Sequence, residues 1–245
     1  MFSKRVIPVL LLDGEGLYKT QKFKNAKYIG DPINSVKIFN EKEVDELVFL
    51  DITKNKKKVP NFGMLESVAS EAFMPLSYGG GLVRIEDVKK VLRLGFEKVI
   101  INAAAYSDLN FICECVRRFG SQSIVGCIEV SRTFFGKSRI YKQDKHLVPH
   151  LEDLVNAGIG ELLIQNVDRE GTYKGYDIEL MKFIADSVDL PVIASGGANS
   201  LGNVKELLCN TKCTGAAAGS LFVYYGMNRS VLINYPDRHT IKALL

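Results

Sequence analysis

The sequence has few cysteines, no CxxC pair and no long hydrophobic run. The cysteines are odd in number and lack the spacing of a metal site, so we expect neither a disulfide framework nor structural zinc; they are Cys113, Cys115, Cys127, Cys209 and Cys213. A reducing cytoplasm is the expected location. No small-residue cleavage site follows the N-terminal apolar run, and no run approaches the roughly 20 residues that span a membrane. We therefore expect no signal peptide, membrane segment, metal or cofactor.

Histidine is also scarce, with only His146, His150 and His239 in the chain. None of them lies at the end of an apolar run, and we expect all three at the surface. A glutaminase would need a nucleophilic cysteine with a histidine and an acid. A pair made from Cys127 and a distant histidine is disfavoured, so the sequence does not predict glutaminase activity.

A strong charge of one sign is absent as well. The formal net charge is +4, which favours anionic small molecules over nucleic acid, because nucleic-acid binding usually needs a dense basic face. Hydrophobic residues make up 47% of the chain and charged residues 24%, so the chain can bury a large core.

Eight short apolar runs are present, with amphipathic segments between them. Helical patterns such as Arg84–Leu94 and Ile178–Ser187 lie between runs, and this alternation is typical of a parallel sheet. Eight such units in this length predict a single α/β domain over residues 1–245, a closed (β/α)8 barrel. The predicted strands are Arg5–Leu12, Glu46–Asp51, Pro75–Tyr78, Lys98–Asn102, Ser123–Glu129, Glu161–Gln165, Pro191–Ala194 and Gly215–Ala218.

The two halves of the sequence resemble each other. DELVFLDIT from Asp45 matches GELLIQNVD from Gly160, and PLSYGGG from Pro75 matches PVIASGG from Pro191. The offsets, 115 and 116 positions, differ by one residue. This repeat predicts two half-barrels, at about residues 1–120 and 121–245. Chance similarity of strand–helix sequence is the alternative.

Glycine runs follow three of the predicted strands, at 79–81, 196–197 and 219. Barrel active sites lie at the C-terminal ends of the strands, where glycines let backbone N–H groups converge on an anion. Because the runs recur in the repeat, we predict two phosphate sites that face each other and suit a substrate with a phosphate at each end. Tight turns without a ligand are the alternative.

Lysines are frequent in the first two loops, and their summed field would attract an anionic substrate. Solvated loop charge is the alternative for most of them. They are Lys19, Lys22, Lys24, Lys27, Lys54, Lys56, Lys57 and Lys58.

Several motifs run in order along nearly the whole chain: KRVIPVLL, GDP, DELVFLDIT, GGG, IN, FGSQ, DREGTYKGYD and IASGGA. Together they resemble the cyclase subunit of imidazole glycerol phosphate synthase. The resemblance implies a (β/α)8 barrel that takes ammonia from a partner glutaminase and acts on a bisphosphate intermediate of histidine biosynthesis.

The resemblance also implies site residues. Lys19 would be the lysine of a mobile loop, and the other phosphate ligands would include Gly80, Gly81, Asn102, Thr172, Gly196, Gly197, Gly219 and Ser220. An ammonia gate at the N-terminal face would comprise Arg5, Glu46, Lys98 and Glu161. Two acids and two bases in a ring can pair, which is the condition for burying charge. A purely structural ring is the alternative. With a gate and no glutaminase of its own, the chain is expected to bind a glutaminase subunit at that face.

The chain departs from the family at the catalytic acids. The resemblance implies an aspartate at the ends of strands one and five, but Leu11 and Glu129 occupy these positions. Leucine cannot transfer a proton. Asp13 would face the same side as Leu11 if the strand continues, and could be a relocated acid. A turn residue before Gly14 is the alternative.

The altered acid pair predicts a changed reaction. We expect Glu129 and Asp13 to transfer protons, with Asp51 and Asp177 as further acids. The chain resembles the branch of the family associated with surface-polysaccharide loci, which implies amidation of an anionic sugar acceptor. The alternatives are a true cyclase of histidine biosynthesis and a non-catalytic barrel that activates the glutaminase. The C-terminal run Val231–Tyr235 and the helical pattern after it have no assigned role beyond packing.

Overall fold

Eight parallel strands close into a barrel in the computed structural model, which describes residues 3–53, 59–133, 136–143, 145–226 and 228–244. Lys54, Lys56, Lys57 and Lys58 lie outside these residues. The strands are β1 (Arg5–Asp13), β2 (Gly16–Gln21), β3 (Lys24–Gly30), β4 (Leu47–Asp51), β5 (Leu76–Gly79), β6 (Lys98–Ile101), β7 (Ile124–Arg132), β8 (Ser138–Ile140), β9 (Glu161–Asn166), β10 (Val192–Ser195), β11 (Gly215–Ala218), β12 (Tyr224–Tyr225) and β13 (Ser230–Val231).

Helices follow most barrel strands and surround them. They are α1 (Pro32–Glu41), α2 (Phe62–Glu71), α3 (Ile85–Arg93), α4 (Ala103–Ser107), α5 (Leu109–Phe119), α6 (Leu147–Asn156), α7 (Ile178–Asp186), α8 (Leu201–Asn210), α9 (Ser220–Val223) and α10 (Arg238–Leu244). No helix among the described residues has the length and apolar character that crossing a membrane requires.

The barrel closes in the order β1, β4, β5, β6, β7, β9, β10 and β11, with β11 pairing back to β1. The predicted (β/α)8 barrel and its eight strands are confirmed. Alternation along β1 divides the core in two: Ile7, Val9 and Leu11 pack inside the barrel, while Leu10 and Leu12 pack against the helices.

Two of the barrel strands continue past their predicted ends into antiparallel hairpins. The first, β1, reaches Asp13 and pairs with β2, which then pairs with β3. The second, β7, reaches Arg132 and pairs with β8. These hairpins project beyond the C-terminal ends of the strands, so they form part of the wall around the barrel mouth.

The C-terminal segment returns along the outside of the barrel. Of the apolar run Val231–Tyr235, only Val231 belongs to a strand, since β13 ends there. Tyr235 is buried between Phe39 and Phe222, and its hydroxyl donates a 3.0 Å hydrogen bond to the Val6 carbonyl. The segment therefore packs the last helix, α10, against the barrel.

The expectation that all three histidines lie at the surface is wrong for His150. This residue is 1% exposed and stacks on the Tyr106 ring, with 4.9 Å between the ring centroids. It lies on the inward face of α6 with Leu147, Leu151 and Leu154. The imidazole therefore occupies a core position of an amphipathic helix, which its neighbours at helical spacing could have indicated.

Candidate functional site

A cavity of about 950 Å³ opens at the C-terminal ends of the strands. Three carboxylates line it among the described residues: Asp13 from β1, Asp51 from β4 and Glu129 from β7. Asn102, which follows β6, and Gln165 of β9 add polar groups to the lining, and Leu11 and Leu50 contribute apolar surface. This combination of a largely apolar cavity with a few convergent polar groups is typical of a ligand site.

Glu129 lies in the inward-facing layer of β7, in register with Gln165 of β9. Its carboxylate accepts a 3.4 Å hydrogen bond from the Asn102 amide and has no ion pair within 4 Å among the described residues. Burial raises the pKa of the Glu129 carboxyl, and the nearby Lys142 ammonium opposes this rise only in part. A carboxyl with a raised pKa can hold a proton near neutral pH and transfer it.

Asp13 is the last residue of β1 and pairs with Gly16 across the tight turn that begins the first hairpin. Leu11 and Asp13 both line the large cavity, as expected for positions two apart on one strand. Gly14 has a φ of +63°, so Asp13 also precedes a turn. Both sequence interpretations of Asp13 therefore describe its position correctly, and its catalytic role stays a prediction.

One pair of glycine loops lies beside the large cavity. Gly80 has a φ of +145°, and a Cβ at this position would lie 2.5 Å from the Asp51 Cβ, so only glycine fits. Gly81 has a φ of +63°. Asn102 directly precedes α4 at the end of the next strand.

The second pair encloses a smaller pocket of about 40 Å³, lined by Gly196, Gly197, Gly219, Ser220 and Lys19. A Cβ at Gly197 would lie 2.2 Å from the Gly175 carbonyl oxygen. Lys19 lies on β2 of the first hairpin, not in an irregular loop, and is 8% exposed. Its ammonium pairs with Glu170, and its aliphatic chain packs on Gly219.

The two glycine sites have matching backbone geometry. A Cβ at Gly80 would lie 2.8 Å from the Asp51 carbonyl oxygen, and one at Gly196 would lie 2.7 Å from that of Asn166. Asn102 (φ −111°, ψ −74°) and Gly219 (φ −100°, ψ −68°) each precede a short helix. These likenesses agree with the predicted repeat; the half-barrel boundaries themselves stay a prediction.

The side chains of three predicted site residues form hydrogen bonds or ion pairs with other protein groups. The Thr172 hydroxyl donates to the Arg169 carbonyl at 2.7 Å, and Thr172 is absent from the described lining of both pockets. Asp177 also lies outside that lining and forms a bidentate pair with Arg132 at 2.8 Å for each bond. Asp51 lines the cavity, but its carboxylate accepts hydrogen bonds from the Tyr78 hydroxyl and the Thr53 N–H.

The pairing of Asp177 explains its role. Burial opposes its ionisation, but the hydrogen bonds from Arg132 and from the Leu180 N–H outweigh this effect and lower its pKa. Asp177 thereby caps α7 and ties that helix to the end of β7. We therefore interpret Asp177 as a structural acid.

At the opposite end of the barrel the four predicted gate residues form a closed ring. Arg5 pairs with both Glu46 and Glu161, and Lys98 contacts the same two carboxylates at 3.3 Å and 2.8 Å. The Ser77 hydroxyl donates to Glu46 at 2.8 Å. Burial alone would lower the pKa of Arg5, but its two carboxylate partners raise it.

The sequence interpretation left three residues of the site unassigned. Glu170 lies within the quoted DREG motif, yet nothing in the motif indicates that it pairs with Lys19. Gln165 closes the sixth predicted strand and lines both pockets. No motif in the sequence indicates a role for Tyr106, whose hydroxyl accepts a hydrogen bond from the Glu129 N–H at 3.1 Å.

Fold and site together define a (β/α)8-barrel protein of the enzyme type, with glycine loops and acids at the mouth and a charged ring at the other end. The chain belongs to the family described as histidine biosynthesis protein, which it matches over residues 5–228. Within this family it belongs with the cyclase subunits of imidazole glycerol phosphate synthase, as the sequence motifs predicted.

Several relatives are similar along almost their whole length. A Pseudomonas aeruginosa protein with the provisional name imidazole glycerol phosphate synthase subunit hisF2 is 46% identical over 244 residues, covering 97% of each chain. A Leptospira interrogans protein with a similar provisional name is 41% identical over 100% of this chain and 99% of its own. The Streptococcus sanguinis imidazole glycerol phosphate synthase subunit is 34% identical over 91% and 92%.

Proposed function

We propose that this chain is the barrel subunit of a glutamine-dependent synthase. A partner glutaminase supplies ammonia at the N-terminal face, and the ammonia reacts at the mouth with a substrate that carries phosphate groups. The arrangement of Glu129 between two glycine loops carries this proposal. Backbone N–H groups at such loops bind phosphate, and a substrate held at both ends presents its centre to the acid between them.

Imidazole glycerol phosphate formation is the reaction that the comparisons favour, because relatives that cover nearly all of the chain are named for that synthase. They offer no support for amidation of a surface-polysaccharide sugar, the reaction that the sequence interpretation preferred. In the cyclase reaction Glu129 would donate and accept protons during ring closure, and Asp13 would assist from β1. Lys19 would pair with a substrate phosphate in place of Glu170.

A changed acceptor remains a second candidate because of one observation. Leu11 lines both pockets where the family resemblance implies an aspartate, so proton transfer from that position is impossible. If Asp13 cannot take its place, the same ammonia supply would serve an acceptor that needs only one acid.

The N-terminal face has the features that a partner subunit needs. Phe73 lies between α2 and β5, at this face, and its side chain is 89% exposed. The ring of Arg5, Glu46, Lys98 and Glu161 lies at the same end of the barrel. Exposed aromatic residues are enriched at protein interfaces, and Phe73 therefore supports docking of the glutaminase at this face.

Complementation separates the two reactions. The chain and its partner glutaminase are expressed in a histidine auxotroph that lacks its own cyclase, with the Glu129→Gln variant as the matched control. We expect growth from the wild type and none from the variant. No growth from a well-expressed wild type would contradict the cyclase reaction and favour a changed acceptor.

A purified assay tests whether the barrel is catalytic. Turnover of the phosphorylated substrate with ammonium chloride needs no glutaminase, so it reports on the barrel alone. If Glu129→Gln keeps both full turnover and full glutaminase stimulation, Glu129 has no catalytic role. If the wild type stimulates the glutaminase but never consumes substrate, the barrel is a scaffold.

A further inference from the structure

The barrel changes its hydrogen-bonding partner at the strand that carries Glu129. The neighbouring strand β6 ends at Ile101, which pairs with Gly126, whereas β7 continues to Arg132. Beyond that point β8 pairs with the same edge of β7, beginning at Val130. The backbone of residues 127–129 lies between these two partners, so its polar groups on this edge need other ones.

Three groups complete the hydrogen bonding across the gap. The Asn102 amide donates to the Cys127 carbonyl at 3.5 Å, and the Tyr141 N–H donates to the Glu129 carbonyl at 2.8 Å. Between them, the Glu129 N–H donates to the Tyr106 hydroxyl at 3.1 Å. The Tyr106 oxygen is thus the acceptor that a strand carbonyl would otherwise supply at Glu129.

The Tyr106 ring is fixed on its other side. It stacks on His150, with an angle of 26° between the ring planes. Neither His150 nitrogen has a hydrogen-bond partner among the described residues, and burial lowers the pKa of the imidazole with a further contribution from Lys145. His150 therefore presents a neutral aromatic face that holds the Tyr106 ring against the barrel.

We propose that Tyr106 is a positioning residue, which fixes the backbone of Glu129 through its hydroxyl and thereby sets the direction of the candidate catalytic carboxylate. The proposal rests on the catalytic role of Glu129 given above. A carboxylate on an unfixed strand end would sample several directions, and a misplacement of about 1 Å can cost about 100-fold in rate.

The test compares Tyr106→Phe with Tyr235→Phe. Each variant keeps its ring and loses one hydroxyl that binds a barrel-strand backbone group, at 3.1 Å and 3.0 Å respectively. Amide hydrogen exchange at Glu129 is measured by NMR, together with kcat and KM for the ammonia-dependent reaction. For Tyr106→Phe we expect exchange at Glu129 to rise at least about fivefold and kcat to fall about tenfold, with KM within about twofold.

Tyr235→Phe should lower the denaturation midpoint similarly but leave Glu129 exchange and kcat unchanged. Unchanged exchange in Tyr106→Phe, or faster exchange with an unchanged kcat, would overturn the proposal. So would an equal loss of kcat in Tyr235→Phe, because that loss would reflect general destabilisation.

A second readout does not depend on turnover. The Glu129 carboxyl is titrated by carbon-13 NMR in the three proteins; Lys142 is the charged group that lowers its pKa, and Glu129 in turn raises the pKa of Cys127 and Tyr106. Because loosening the strand end admits water, the pKa should fall toward the ordinary range of glutamate only in Tyr106→Phe. An unchanged Glu129 titration in Tyr106→Phe would overturn the proposal. If the titration shifts in Tyr106→Phe but the wild type turns over no substrate, only the proposed function is contradicted.

The stacking of His150 on Tyr106 can be tested separately. His150→Phe keeps an aromatic face and should retain kcat within about twofold, while His150→Ala should lower kcat in the same direction as Tyr106→Phe. Equal kcat values for the two His150 variants would contradict the part assigned to the stack.

Discussion

The two ends of the barrel differ in whether their charged side chains have ion-pair partners. At the N-terminal face, Arg5, Lys98, Glu46 and Glu161 neutralise one another in a closed ring. At the mouth, Glu129 is half-buried, with a single long hydrogen bond to its carboxylate and a raised pKa. Compensation makes the first cluster stable as it stands. The second keeps a carboxyl with a raised pKa and, among the described residues, no ion-pair partner, and such perturbed groups cluster at functional sites.

The mouth also contains a compensated acid for comparison. Asp177 has a bidentate arginine partner and a lowered pKa, and it serves the fold. Glu129 and Asp177 therefore differ in their suitability for a reacting role, which for Glu129 stays a prediction. What separates them is whether a fixed cation already holds the carboxylate.

The largest expected effect comes from opening the ring. Arg5→Ala leaves two buried carboxylates with Lys98 alone, and removal of one partner from a buried pair costs about 3 kcal/mol or more. Urea unfolding measures the loss. Arg117→Ala, which breaks an exposed pair with Glu114, is the control and should change nothing measurable. Equal stability of Arg5→Ala and the wild type would show that the ring is solvated.

The next effect comes from removing the exchangeable proton at the mouth. Glu129→Gln keeps the shape of the side chain but cannot transfer a proton, so kcat with ammonium chloride should fall at least about 100-fold. The free energy of unfolding should not decrease, because no ion pair is lost. Asp177→Asn should show the reverse pattern, with lower stability and a smaller loss of kcat. A large kcat loss in Asp177→Asn at unchanged stability would contradict this assignment.

A smaller effect is expected at the second glycine site. Lys19→Met keeps the chain that packs on Gly219 and removes the charge, so KM for a phosphorylated substrate should rise about tenfold. Glu170→Gln should lower KM, because it frees the ammonium for a phosphate. Initial rates over a range of substrate concentrations measure both. An unchanged KM in Lys19→Met would mean that the lysine only fastens the hairpin.

The smallest effect is the pH dependence of stability. The folded-state pKa of Glu129 lies above its unfolded value, so the unfolded chain ionises first and stability falls as pH rises from the ordinary range of glutamate. Asp177 has a lowered pKa, so its contribution is present above its unfolded pKa and is lost as pH falls. Urea unfolding of wild type, Glu129→Gln and Asp177→Asn between pH 3 and pH 8 checks this. Glu129→Gln should lack the decrease at higher pH, and Asp177→Asn the loss in acid.

Local patterns in the sequence determined the barrel. All eight strands, the helices at 85–93 and 178–186, and the family follow from alternating runs and motifs in order. The glycine positions also follow, since Gly80 and Gly197 adopt conformations that disfavour a side chain. Each of these features depends on near neighbours in the chain, so each leaves a local signal.

Tertiary structure alone decided which charges are satisfied. Arg5 meets Glu161 only because the barrel closes, and Asp177 pairs with Arg132 because β7 extends far enough to present that residue. Tyr106 reaches the Glu129 backbone because β6 ends before β7 does, and His150 stacks on Tyr106. Strand order, register and relative strand length set these contacts. They join residues far apart in the chain, so no local pattern records them.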